Sequence, residues 1–127
     1  MDQTIKKQII EKLHEQENIH AIKIPLAIES GSRGWGFASP DSDYDCRFIY
    51  VHKKNDYLTV FPKKDVLESE VNAVFDINGW DLKKVILHLV KSNAVMLEWL
   101  SSNEIYFKDE KVAHILNQLG EKYFNPF

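Results

Sequence analysis

This sequence is short of several things, and each shortage narrows what the protein can be. It has one cysteine, Cys46, in 127 residues, so no internal disulfide can form. Cys46 sits in an apolar, strand-like run, which predicts a small buried core residue and not a nucleophile. No run of about 18 apolar residues occurs, so no membrane-spanning helix is expected. Met1 to Lys12 carry charges throughout and hold no apolar signal core, which predicts a cytoplasmic protein with no membrane partner. Positive charge is not in excess. Sixteen Lys and Arg against nineteen Asp and Glu leave a net charge of −3, which does not indicate a broad basic surface for a duplex nucleic acid. The cluster Lys53, Lys54, Lys63 and Lys64 reads as solvated loop charge. The histidines, His14, His20, His52, His88 and His114, form no metal-ligand spacing.

A hydrophobic share of 44% and a charged share of 28% suit one α/β or α+β domain. That domain spans 1–127, either alone or as the N-terminal part of a longer protein; the aromatic ending Tyr123 to Phe127 leaves both open. Ile5, Ile9, Ile10 and Leu13 recur at helical spacing and predict a helix over 3–18. Residues 21–30 read as a strand with an edge position or an irregular start at Pro25. Residues 43–51 read as a second strand. A turn is expected at Asn55-Asp56, a short strand over 57–61 and another over 70–77, broken by Asn78-Gly79. Asp81 then caps a helix whose apolar face is Leu82, Val85, Ile86, Leu89 and Val90. Helices over 94–100 and 110–122 follow.

The chemistry concentrates between Glu29 and Asp45, and three of the five glycines fall within it. Asp43 and Asp45 are two apart, so on a strand both carboxylates point to one face. Aspartate is a poor strand former, and two like charges there repel. A hard cation resolves the conflict, and magnesium prefers such oxygen ligands while leaving positions for phosphates and water. At the other end, a strand runs into Gly31-Ser32. Glycine lets a ligand approach the main chain, successive backbone N–H groups make an anion-binding concavity, and Ser32 adds a hydroxyl donor. Arg33 would add a charge-assisted contact to a phosphate or a local salt bridge. Asp41, after Pro40, reads as a turn residue. Trp35 and Phe37 read as packing for the loop, with base stacking as the alternative.

Gly-Ser followed by a short loop and Ser42-Asp43-Tyr44-Asp45 resembles the signature of the polymerase-beta-like nucleotidyltransferase superfamily. Within it, Gly31-Ser32-Arg33-Gly34-Trp35-Gly36, Ile77-Asn78-Gly79-Trp80-Asp81 and the stretch from Ser92-Asn93 to Glu98-Trp99-Leu100 are similar to the nucleotidyltransferases associated with RNA ligases. The resemblance spans about 20–107. It implies a nucleotidyltransferase fold, α/β (α+β), with a small mixed sheet flanked by helices and three catalytic carboxylates. Two match Asp43 and Asp45. The third matches Asp76, between Phe75 and Ile77, or Asp81, which the apolar run behind it marks as a helix cap.

The implied activity is transfer of a nucleoside monophosphate from a nucleoside triphosphate such as ATP to an acceptor hydroxyl, with release of pyrophosphate. Two Mg2+ ions, or Mn2+, would be held by Asp43, Asp45 and Asp76, and the nucleotide by Gly31, Ser32, Arg33 and Lys83. The acceptor is left open between an RNA end, a protein and a small molecule. The alternative is a non-catalytic relative that binds a nucleotide or a partner protein.

Overall fold

Ile9 and Leu13, one turn apart, lose all solvent contact in α1 (Gln3–His20) and seat the helix on one face of a sheet. The computed structural model describes residues 3–30, 44–71, 75–91 and 94–123. After α1 come β1 (Lys23–Glu29), β2 (Tyr44–Val51), a 3₁₀ turn (Lys54–Tyr57), β3 (Val66–Val71) and β4 (Phe75–Asp81). Then follow α2 (Leu82–Val90), α3 (Ala94–Leu100), β5 (Ile105–Lys108) and α4 (Glu110–Tyr123). The five strands form one mixed sheet in the order β3-β4-β2-β1-β5. Only β2 and β4 among the neighbours are parallel.

Alternation along β2 sorts its side chains. Cys46, Phe48 and Tyr50 join Ile9 and Leu13 under α1. Ile49 points the other way, with Leu26 and Ile28, against Val85 and Leu89 of α2, Met96 and Trp99 of α3, and Leu116 of α4. The sheet is thus sandwiched between one helix and three. Among the described residues no helix is long and apolar enough to cross a membrane.

Several expectations hold, with small shifts of boundary. Pro25 gives β1 an irregular start, because the pairing with β2 shifts register between Lys23 and Leu26; β1 is nevertheless an interior strand. Cys46 is fully buried, and burial, then the nearby Glu29 charge, pushes its thiol pKa up, so it is no thiolate nucleophile near neutral pH. Asp81 caps α2 by accepting the Lys83 N–H at 2.9 Å.

Other expectations are corrected. The strand over 57–61 does not form; a 3₁₀ turn and bends occupy that stretch, and Leu58, Val60 and Phe61 stand exposed. The strand over 70–77 is two antiparallel strands, β3 and β4. Asn78-Gly79 does not break β4. A Cβ on Gly79 would lie 2.1 Å from Cε2 of Phe48, so the glycine leaves room for an aromatic ring inside a regular strand. β5 was not expected from its four residues. Ser92-Asn93, part of the stretch that carries the resemblance, and the aromatic ending over 124–127 lie outside the described residues.

Candidate functional site

Parallel pairing of β2 with β4 sets Asp45 directly beside Asp76. Neighbouring strands lie about 4.8 Å apart, and register partners in a parallel ladder point to the same face. The two carboxylates therefore sit side by side, 31 positions apart in the chain. The next partners along the same face are Arg47 with Asn78, then Ile49 with Trp80. Ile49 and Trp80 are covered by the three-helix layer. Asp45 and Asp76 lie at the other end of these strands, at the start of each, where both are partly exposed.

The pair is supported from several sides. Asp76 receives Arg47 Nη2 at 3.0 Å on Oδ2 and Asn78 Nδ2 at 2.7 Å on Oδ1. Arg47 also donates to the Asp76 and Cys46 carbonyls at 3.3 and 2.9 Å. Ser30 ties the end of β1 to Asp45: its N–H and hydroxyl donate to the Asp45 carbonyl at 2.8 and 3.1 Å.

Behind the pair lies a wholly buried carboxylate, Glu29. Its Oε2 accepts the Asp45 N–H at 3.0 Å, and its Oε1 accepts the Tyr106 hydroxyl at 3.2 Å. Its carbonyl accepts the Ser102 hydroxyl at 2.6 Å. Burial, reinforced by the Glu29 charge, raises the Tyr106 phenol pKa, so Tyr106 remains a donor. A buried charge is tolerated only when it is hydrogen-bonded in this way. Glu29→Gln has one acceptor oxygen where two donors converge. The expected loss, read by thermal denaturation, is about 1–3 kcal/mol.

Of the residues singled out in the sequence, the structure brings Asp45 and Asp76 together. Gly31, Ser32, Arg33 and Asp43 lie outside the described residues, as do Trp35, Phe37 and Asp41. Lys83 is not brought to the pair. It lies beyond Asp81 at the far end of β4, roughly 16 Å along the strand from Asp76, and lines a hollow with Val51, Tyr57 and Leu87. Asp81 is at that same far end, 4% exposed, where it accepts the Tyr57 hydroxyl at 2.9 Å as well as capping α2. Arg47, Asn78 and Glu29 were missed. The signal for Arg47 was present: on a strand, position 47 shares the face of position 45 by alternation.

Asp45 and Asp76 offer oxygen donors only, the donor type that magnesium and manganese take. Among the described residues no group of three His, Cys, Asp or Glu has metal-holding geometry.

A sequence profile of the RNA repair pathway DNA polymerase beta family matches residues 5–127. An uncharacterized protein of Bacillus subtilis (strain 168), YcgL, is 44% identical over 122 residues, which are 96% of this chain and 47% of that protein. The chain thus spans about half the length of this relative. No solved structure matches. A profile that covers nearly the whole chain, over a mixed sheet that sets Asp45 beside Asp76, places the chain in the RNA repair pathway DNA polymerase beta family.

Proposed function

We propose that the chain is a metal-dependent nucleotidyltransferase domain that moves a nucleoside monophosphate from a nucleoside triphosphate to an acceptor hydroxyl. The observation that carries this reading is the register of Asp45 against Asp76 at the open end of the sheet. Asp43, two residues before Asp45, completes the carboxylate set. Magnesium or manganese held by these three would neutralise the phosphates and lower the pKa of the acceptor hydroxyl. Gly31, Ser32 and Arg33, which follow β1 in the chain, would bind the triphosphate. The acceptor oxygen forms a bond to the α-phosphorus. The bond from that phosphorus to the bridging oxygen breaks, and pyrophosphate departs with its electron pair. The hydroxyl proton passes to Asp76 or to solvent. Positioning and charge neutralisation supply most of the acceleration in such a transfer. The need for a nucleoside triphosphate fits the cytoplasm, where we place the protein.

The ion pair between Arg47 and Asp76 favours a second reading, a relative that binds nucleotides without transferring them. An arginine on the third carboxylate neutralises a charge that a metal would otherwise meet.

Titration with magnesium and each of the four nucleoside triphosphates, followed by a pyrophosphate assay, separates the two. Magnesium-dependent binding that Asp43→Ala/Asp45→Ala abolishes, together with pyrophosphate release, is the expected result. Binding without release when an RNA end, a protein and a small molecule bearing free hydroxyls are each supplied as acceptor favours the second reading, and no binding to any triphosphate sinks both.

A further inference from the structure

A cavity of about 970 Å³ opens at the end of the sheet away from the carboxylate pair, where α1 stops, β1 begins and β5 gives way to α4. Lys23 lines it at the first position of β1, roughly 20 Å along the strand from Glu29 at the last. Every residue of its lining is among those described. Ala21 follows α1 there at φ 51°, a left-handed conformation that glycine usually takes. Ile22 and Ile24, 5% and 7% exposed, come next and line the cavity. Val51, Phe107 and Val112 extend this apolar wall.

The polar part of the lining is one-sided. Lys23, Lys53 and Lys108 stand exposed around the cavity. Lys108 has the exposed Glu110 at 3.8 Å, and such a pair holds its lysine weakly. Lys23 and Lys53 have no carboxylate partner among the described residues. Two carboxylates also line the cavity, and both are already taken. Glu17 meets His14 Nδ1 at 2.9 Å through Oε1 and accepts the Ile24 N–H at 3.1 Å through Oε2. Asp109 Oδ1 accepts the N–H groups of Lys111 and Val112 at 3.0 and 3.2 Å and so caps α4. What remains on offer is cationic donors beside an apolar wall.

Each feature selects part of a ligand. Ammonium groups donate and cannot accept, so they call for an anion. Three of them around one opening suit a phosphate dianion better than a single carboxylate. An apolar wall that includes the Phe107 ring suits a flat ring that packs on it. The volume lies within the range of small-molecule sites, about 300–1,000 Å³.

We propose that this cavity is a second ligand site, which binds a nucleoside monophosphate with its base against Ile22, Ile24 and Phe107 and its phosphate on Lys23, Lys53 and Lys108. The site is separate from the carboxylate pair and stands whether or not the transferase reading does. It also gives Lys53 a role other than the solvated loop charge that the sequence alone suggests. A free nucleotide and the phosphorylated end of a strand present the same chemistry, and the test below tells them apart.

Titration of the protein with each of the four nucleoside 5′-monophosphates, their nucleosides and inorganic phosphate, all without magnesium, tests this. The readout is the methyl shifts of Ile22, Ile24 and Val112, which report binding at this end of the sheet and not at the carboxylate pair. At least one monophosphate is expected to bind with Kd on the order of 1 mM or tighter, and at least about tenfold tighter than its nucleoside or phosphate alone. Lys23→Gln/Lys53→Gln is expected to weaken that monophosphate about tenfold and to leave the nucleoside within about twofold. Both positions are exposed, so the variant keeps its fold. A 5′-phosphorylated oligoadenylate that moves the same methyls as tightly as AMP or tighter assigns the site to a strand end; one that leaves them unmoved assigns it to the free nucleotide. Four results overturn the proposal: no shift with any monophosphate, a nucleoside that binds as tightly as its monophosphate, phosphate alone that binds as tightly, or a lysine variant with unchanged affinity.

Discussion

Asp45→Asn and Asp76→Asn are each expected to lower the rate of nucleotidyl transfer by on the order of 10²–10³-fold or more, with little change in stability. Asparagine keeps the shape of aspartate and removes its charge. What is lost is the negative charge that would draw a divalent cation to the open end of the sheet. The two variants differ in one informative respect. Asp76 is held by Arg47 and Asn78, so its substitution releases Arg47 and leaves a cation facing incoming phosphates. Asp76→Asn is therefore expected to bind the triphosphate with less dependence on magnesium than Asp45→Asn does. Asp81→Asn is the control. Asparagine is as good a helix cap as aspartate, and Asp81 lies at the far end of β4, so transfer is expected to stay within about twofold of the parent. Should Asp81→Asn abolish transfer while Asp76→Asn spares it, the assignment of the third carboxylate would be reversed.

Gly79→Ala is expected to cost about 3 kcal/mol of stability, near the upper end for overpacking in a core. The added methyl would sit 2.1, 2.3 and 2.5 Å from three carbons of the Phe48 ring. Phe48 is fully buried and packed against Tyr50, so the ring has little room to yield. Domains of this kind are stable by only about 5–15 kcal/mol, so such a loss is a large share of the total. The cause is testable in a double-mutant cycle. Phe48→Leu removes the two nearest ring carbons, and in that background the cost of Gly79→Ala is expected to fall to roughly half. An unchanged cost would mean that backbone conformation, and not the ring, is what demands glycine.

That glycine also shows where sequence reading stops. Asn-Gly is a strong turn signal, and residues 78–79 read as a break because nothing local reveals that Phe48, far off in the chain, occupies the space a side chain would need. The helices were legible because their apolar residues recur at helical spacing, and the Asp81 cap because a short acceptor precedes such a run. β5 was illegible: four residues carry too little period to register. The 57–61 stretch misled through composition, since its apolar residues stand in solvent. In the site, Asp45 was legible from its spacing to Asp43, and Asp76 from the family resemblance and its apolar flanks. Glu29 was not legible, because a lone acid at the end of an apolar strand looks like a solvated terminus until Tyr106 and the Asp45 amide are seen to converge on it. Lys83 was drawn toward the site by closeness in sequence, which β4 converts into distance.

The parallel pairing of β2 with β4 has a consequence for how the protein acquires its carboxylate pair. Arg47 and Asp76 are separated by 29 residues, and no hairpin or single helical turn brings such partners together. The chain must first close a loop that contains the whole of β3, at an entropic cost that local contacts do not recover. Helix α1 and the β3–β4 hairpin can form from near neighbours alone. The carboxylate pair exists only once the central ladder has zipped, so a refolding or newly made chain regains its helices before it regains its site.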